Sequence, residues 1–350
     1  MNAAGDYRKL LLDARARQLE LTQETVQRVD YIFTRTYRQL KHLLKNLPNE
    51  KGLSAEEREL RRTYLRERIA EVQRLTANLN SDFGSILHAG MHGTAQAGAD
   101  REASVLKLLG KPANPGLAPT LDKSWPLSDG KTLTVGFGEI PLGAIENTMK
   151  RVYKDGLKLS ERMWNLTSDN EREIADRIMS ALVTGRDAKT LAESLRHYLV
   201  DPNADNAFGR AHLLAQSEVN TAYKEATIQA ALDPETGQMH EFLSGIRWSL
   251  SASHTQADIC DILADDDTGL GPGVYLPMDV PSSHPRCMCW LADVLTDYPD
   301  VGLSPVKPRV DEVPDSQVAY YAEAGDPAAQ RVMDSKAASP RQAIGVEEDA

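Results

Sequence analysis

Cys260, Cys287 and Cys289 are all the cysteines this chain has, and they stand near one another in a stretch that also carries His254, Asp258 and His284. Thiolate and imidazole are the donors zinc prefers. A closed four-coordinate shell of Cys and His is structural, whereas a catalytic site keeps one position for water. His254, Cys260, His284, Cys287 and Cys289 are therefore the candidate metal residues. The best four are Cys260, Cys287, Cys289 and either His254 or His284, with a fifth donor outside the shell or spare. Cys287 and Cys289, one residue apart, cannot both reach an ion from a helix but can from a tight turn, and Pro281 and Pro285 supply that irregular backbone. The bland alternative is three reduced thiols and unrelated histidines in a small core, because the spacing is not a paired CxxC pattern.

Other candidates are weaker. His88 and His92 lie four apart on one helical face, but no Glu follows His88 as the zinc-protease pattern requires, so packed or exposed histidines are expected. Asp265-Asp266-Asp267 lacks the alternating ligands and closing Glu of a calcium loop and reads as a solvated turn. Gly269 to Gly273 lacks the Lys and the strand-to-helix setting of a phosphate loop and reads as a glycine hairpin. Ser217, Glu218 and Arg210 share a helix, where a surface or helix-pairing role is the commoner one. No GxSxG elbow occurs, and no cysteine stands free of the cluster to act as a nucleophile, so no catalytic residue is assigned.

Helices must position these groups. From Leu12 to Leu47 apolar residues recur every seven positions (Leu12, Leu19, Val26, Phe33, Leu40 and Leu47, with Val29 and Leu43 beside them), which predicts a long helix with a heptad seam. Pro48 ends it. Ser54-Ala55-Glu56-Glu57 reads as a capping box opening a second helix through Leu60, Leu65, Ile69, Val72, Leu75 and Leu79. A third is expected over Phe83 to Leu109, weakened by Gly84, Gly90, Gly93 and Gly98, small residues that also permit close helix approach.

Four prolines between Pro112 and Pro126 mark a domain boundary. Beyond it Thr132 to Phe137 reads as a short strand, and helices follow from about Pro141. Ser168-Asp169-Asn170-Glu171 reads as a second capping box and Asp187 as the next N-cap, with Leu191, Leu195 and Leu199 facing inward. A further helix spans about Asn206 to Leu232. Strand-like runs at Glu241 to Leu243 and Ile246 to Ser249 lead into the Cys/His segment.

The expected architecture is mainly α (α+β). A helical arm over 1–110 and a Pro-rich linker over 111–130 precede a helical domain over 131–296 that ends in a small β-rich Cys/His knuckle. Residues 297–350, with 11 Asp/Glu against 5 Lys/Arg and few large apolar groups, are expected to be a mobile or partner-ordered tail.

The net charge of -11 is uneven: residues 1–80 carry +5 and the remainder -16. Both signs interleave along the first helices, which points to a solvated face rather than to a DNA-binding stripe, so no specific DNA recognition is expected. No apolar run is long enough to cross a bilayer, and Met1 to Lys9 lacks a secretory pattern, so a reducing compartment without disulfides is expected.

One family unites these motifs. Leu159-Ser160-Glu161-Arg162-Met163-Trp164, the helix Arg210 to Tyr223 with its Ser217-Glu218-Val219-Asn220-Thr221-Ala222-Tyr223 run, Trp248, His254 to Cys260, and His284-Pro285-Arg286-Cys287-Met288-Cys289-Trp290-Leu291 occur in the order seen in that family. The stretch resembles the Mu F-like minor head (head morphogenesis) proteins of tailed bacteriophages over about residues 140–295. The resemblance implies a non-enzymatic virion component, made with the procapsid in the host cytoplasm and carried inside the head at the portal vertex, with a role in head morphogenesis and in DNA packaging or delivery. Implied partners are the portal protein, with scaffold, major capsid protein and further copies of the chain as others. The long helices before the domain suit docking on the portal ring. Two departures stand out. Many relatives carry a C-x-x-C pair where this chain offers only Cys260 preceded by His254, which makes His254 a candidate replacement ligand for zinc. Gln216 stands where Arg or Thr is frequent. The competing expectation is a metal-dependent hydrolase or nuclease built on His254, Asp258 and His284 and delivered as a phage effector.

Overall fold

The structure, a computed structural model, describes residues 3–44, 54–109, 123–126, 132–135, 139–151, 158–183, 188–201, 206–232, 236–297 and 306–338. Among them the protein is mainly α-helical, with a small antiparallel sheet late in the chain. Its contacts divide it into two compact units, Met1–Gln238 and Met239–Ala350.

The first unit is built on two long antiparallel helices, α1 (Ala3–Leu44) and α2 (Ala55–Leu108). The two helices expected on either side of Phe83 are one: α2 runs unbroken through its glycines. The heptad seam holds only in part: Phe33, Leu40 and the neighbouring Val29 are buried, but Leu12 and Leu19 are 39% and 38% exposed. The buried face instead repeats through Tyr7, Gln18, Val29 and Leu40, with Leu11, Thr22 and Phe33 beside them. That is an 11-residue period, which follows a straight helix at about 3.67 residues per turn where a heptad drifts off the face. An apolar repeat does not reveal this face because Arg15, Gln18, Thr22, Thr25 and Thr36 are also buried on α1. Its polar members are satisfied inside: Arg15 donates to Gln18 Oε1 at 2.5 Å, Gln18 donates to Asn220 Oδ1, and Thr22 donates to the Gln18 carbonyl at 2.9 Å.

Four more helices of the unit lie among the described residues: α3 (Glu139–Lys150), α4 (Leu159–Val183), α5 (Ala188–Leu199) and α6 (Ala207–Ala230). Asn206 caps α6 by accepting from the Gly209 amide at 2.8 Å. This helix lies in the groove of the α1–α2 pair: Phe33 meets Phe208 edge-on at 5.7 Å, and Thr94 donates to the Val219 carbonyl at 2.8 Å. Glycine permits that approach. A Cβ on Gly90 would lie 2.9 Å from Val219 Cγ2, and one on Gly98 2.9 Å from Ala226 Cβ.

The contact boundary therefore falls at Gln238/Met239 rather than in the 111–130 segment. A helical hairpin cannot bury its own apolar stripe, and α6, assigned by sequence to the next domain, is the element that covers it. Two strands, β1 (Lys123–Pro126) and β2 (Thr132–Val135), pair antiparallel, so the linker contributes a strand the sequence did not announce. The second expected capping box, Ser168 to Glu171, lies inside α4, where Asp169 accepts from Arg172 at 2.7 Å. Asp187, the expected N-cap of α5, is outside the described residues, as are Leu47 and Pro48. Leu191, Leu195 and Leu199 face inward as their spacing predicts.

The second unit has a three-stranded antiparallel sheet of order β4-β3-β5, from β3 (Leu243–Ser249), β4 (Val274–Tyr275) and β5 (Trp290–Leu295). The two expected strand runs are one strand with an irregularity at Leu243/Gly245. Between β3 and β4 lies α7 (Ile259–Asp265), and Trp248, Ile262, Leu263, Tyr275 and Leu291 form the core.

The mobile tail is corrected for residues 306–338. They form a 3-10 turn at Val310–Glu312 and the helices α8 (Asp315–Glu323) and α9 (Pro327–Ala338), all packed on α7. Val313, Val318, Ala322, Ala328 and Ala329 are buried there. Small apolar residues in an acidic background thus suffice when a neighbouring surface exists to receive them.

Candidate metal centre

Two elements of the second unit bring the thiols together. Cys260 sits in the first turn of α7, whose start is fixed by Asp258: its Oδ1 accepts from the Cys260 amide at 2.7 Å. The cap is reciprocal, because Asp261 Oδ2 accepts from the Asp258 amide at 2.9 Å. Cys287 and Cys289 come from the turn that leads into β5. There the Cys287 amide donates to the His284 carbonyl at 3.2 Å, Pro285 holds the second position, and Arg286 takes the left-handed φ of 62° at the third. A turn with Pro second and positive φ third follows the type II pattern, in which the third place normally falls to Gly or Asn. Arg286 accepts that conformation where the turn must present two cysteines one residue apart.

The result is a buried sulfur cluster. Cys260 and Cys287 Sγ are 3.5 Å apart, and the three sulfurs lie within 4.8 Å of one another. All three side chains are buried, and together they could hold a metal ion. Two imidazoles flank them. His254 places Nδ1 3.9 Å from Cys289 Sγ and Nε2 2.6 Å from Asp261 Oδ2. His284 places Nδ1 2.7 Å from the Pro285 carbonyl and Nε2 3.3 Å from Asp258 Oδ2. Every candidate named from the sequence is thus in one neighbourhood.

The donor set fits a soft cation. Ligands about 2.3 Å from a tetrahedral ion stand roughly 3.8 Å apart, near the 3.5 and 3.9 Å found here. Burial, then hydrogen bonding and charge from Cys287 and Cys289, push the Cys260 thiol well up, so without an ion it stays protonated. Burial alone would push His284 down, but Asp258 and the Cys287 sulfur beside it hold it up, at about 10. Burial likewise opposes the Asp258 carboxylate, and His284 together with the Cys260 amide outweighs it and keeps Asp258 low.

Three contributors were not read from the sequence. Asp261, fully buried, joins His254 to the α7 cap, and its Oδ1 accepts from the Arg309 amide at 2.9 Å. Arg309 Nη1 also donates to the Thr255 carbonyl at 3.3 Å. Tyr321 of α8 is pushed up by burial and by the nearby Cys260 and Asp258. Asp258-x-x-Asp261 was the legible signal for the first of these, since an Asp at N-cap with a carboxylate at N3 is a capping box. Arg309 and Tyr321 lie in the stretch read as a tail and carried no such signal.

The remaining candidates fall elsewhere. His88 and His92 are packed in the first unit; burial pushes both down, and His92, with His88 as neighbour, reaches about 3. Arg210 turns to Asp169 and to the Tyr198 hydroxyl, while Glu218 pairs with Arg151 at 3.4 Å. Asp266 receives Arg331 through two bonds, at 2.7 and 2.5 Å, and Asp267 accepts from the Gly269 and Gly271 amides, so the acidic triplet is a turn-and-anchor device.

Comparison of the chain with protein-family models, curated proteins and solved structures finds no match. Among the described residues no helix is long and apolar enough to cross a membrane.

Proposed function

We propose that the chain is a non-enzymatic minor head protein of a tailed bacteriophage, of the Mu F-like kind, whose second unit is locked by a structural zinc ion. Cys260, Cys287, Cys289 and one imidazole would hold the ion. The observation that carries the metal part is the burial of all three thiols in one cluster, since a sulfur-rich shell closed to solvent suits a structural ion and leaves no place for reactive water. The ion would neutralise the thiolates and tie α7 to the turn before β5.

The phage part rests on the series of motifs. Glu218, Asn220, Ala222, Tyr223, Trp248, Cys260, Cys287 and Cys289 are all buried, which suits a framework signature rather than a set of substrate-binding residues. The long helices of the first unit suit docking on an oligomeric portal ring, with scaffold, major capsid protein or further copies as other contacts. The location proposed is the capsid interior, after assembly in the host cytoplasm.

A metal-dependent nuclease or hydrolase built on His254, Asp258 and His284 has less support. Asp258 Oδ1 is already engaged with the Cys260 amide and His254 Nε2 with Asp261. Asp258 Oδ2 and His254 Nδ1 remain for such an ion, but the three buried thiols beside them favour a closed sulfur-rich shell over an open site.

The test is quantitative detection of the tagged chain in purified heads from cells producing the phage that encodes it, with phosphodiester cleavage assayed in parallel on the purified protein. A few copies per head without cleavage supports the reading. Absence from heads, or cleavage lost in Asp258→Asn, overturns it.

A further inference from the structure

His254 and His284 both stand beside the thiols, yet their ring nitrogens are committed differently. A carboxylate or a carbonyl oxygen can only accept, so each nitrogen facing one carries a hydrogen. In His254 that nitrogen is Nε2, against Asp261 Oδ2 at 2.6 Å, and the lone pair is left on Nδ1, the atom 3.9 Å from Cys289 Sγ. In His284 the hydrogen falls on Nδ1, which faces the Pro285 carbonyl at 2.7 Å, while Nε2 stands 3.3 Å from Asp258 Oδ2 with no hydrogen-bond partner among the described residues. A four-coordinate ion held by three thiolates takes one imidazole, and His254 Nδ1 is a nitrogen 3.9 Å from a cluster sulfur.

We propose that Asp261 is the positioning residue of the metal centre: by accepting from His254 Nε2 it fixes Nδ1 as the fourth donor, beside Cys260, Cys287 and Cys289, and leaves His284 outside the shell. The proposal rests on the metal reading above. Asp261 is suited to the task because its carboxylate is held from three directions. Oδ2 takes the Asp258 amide at 2.9 Å as well as His254, and Oδ1 takes the Arg309 amide at 2.9 Å. A fully buried carboxylate fixed in this way cannot rotate to release the imidazole, and an imidazole that donates its far nitrogen to a carboxylate is the usual arrangement of a metal-bound histidine.

The test uses the full chain loaded with cobalt(II) in place of zinc, comparing wild type with Asp261→Asn, His254→Ala and His284→Ala, together with zinc affinity measured against a chromophoric chelator. Expected are thiolate-to-cobalt bands in wild type and a spectrum and affinity nearly unchanged in His284→Ala. His254→Ala should show altered d–d bands, and Asp261→Asn should bind zinc roughly 10- to 100-fold more weakly with shifted d–d bands. If Asp261→Asn fails to fold, nitrogen NMR of the zinc-loaded wild type decides, the expectation being a His254 ring with hydrogen on Nε2 and metal on Nδ1. The proposal is overturned if Asp261→Asn leaves spectrum and affinity unchanged, if His284→Ala rather than His254→Ala alters the d–d bands, or if the NMR shows another His254 form. Wild type without thiolate-to-cobalt bands overturns the metal reading and this proposal together.

Discussion

Gly90 of α2 stands so close to Thr25 of α1 that a Cβ at position 90 would lie 2.6 Å from Thr25 Cγ2. The same Cβ would crowd Val219 of α6, so this glycine marks the point where three helices converge. Alanine gains about 1 kcal/mol in helix propensity over glycine, while overpacking a tight core costs roughly 1–3 kcal/mol. Gly90→Ala and Gly98→Ala should therefore destabilise the protein on balance. Gly93, whose nearest neighbour would be Leu21 at 3.6 Å, has room, and Gly93→Ala should stabilise by about 0.5–1 kcal/mol. Denaturant midpoints of the three variants check the opposite signs. Equal effects at all three would contradict the close approach.

Acid should weaken the first unit through His92. Its folded pKa is lowered by burial and by His88 from 6.5 to about 3, so below 6.5 the unfolded chain takes up a proton that the folded chain refuses. Stability attributable to this residue is thus lost as pH falls from 6.5 toward 3, amounting to about 2 kcal/mol by pH 5. Urea unfolding at pH 7 and pH 5 should show this slope, and His92→Gln should flatten it whatever its effect at neutral pH. An unchanged slope in the variant would show that other groups carry the acid sensitivity.

The C-terminal helices should behave as part of the second unit. Removing residues 306–350 strips the apolar cover that Val313, Val318, Ala322, Ala328 and Ala329 form over α7 and should lower stability by several kcal/mol, at roughly 25 cal/mol per Å² of apolar area exposed. Arg331→Ala breaks only the half-exposed tie to Asp266 and should cost at most about 1 kcal/mol. Hydrogen exchange over 315–338 should rise slightly in the substitution. A truncated chain as stable as the full one would restore the picture of a loose tail.

Helix content, the start of α6 near Asn206, the inward face of α5 and the meeting of the Cys and His residues were legible, because each depends on short-range pattern or on donor chemistry that few residues share. The register of α1 was not. Its buried face mixes Tyr7, Leu11 and Val29 with Gln18, Thr22 and Thr36, and a search for apolar repeats locks instead onto Leu12 and Leu19, which are over a third exposed. Polar groups satisfied by a partner helix, as Gln18 is by Asn220, are invisible until that helix is placed. The Ser168 to Glu171 capping box failed for the reason that a cap motif carries no information about whether the preceding turn is already helical. The capping box of Asp258 and Asp261 was there to be read, but the further value of Asp261 lies in His254 and Arg309 converging on it, and Arg309 is distant in the chain.

The most direct test of the account is the metal content of the chain purified without added metal or chelator, measured by elemental analysis beside a Cys287→Ser/Cys289→Ser double variant. The account predicts about one zinc per chain in wild type, little or none in the variant, and for the variant a lower melting temperature of the second unit with the helical signal of the first largely retained. A wild-type chain free of metal, or equal metal in both proteins, would contradict it.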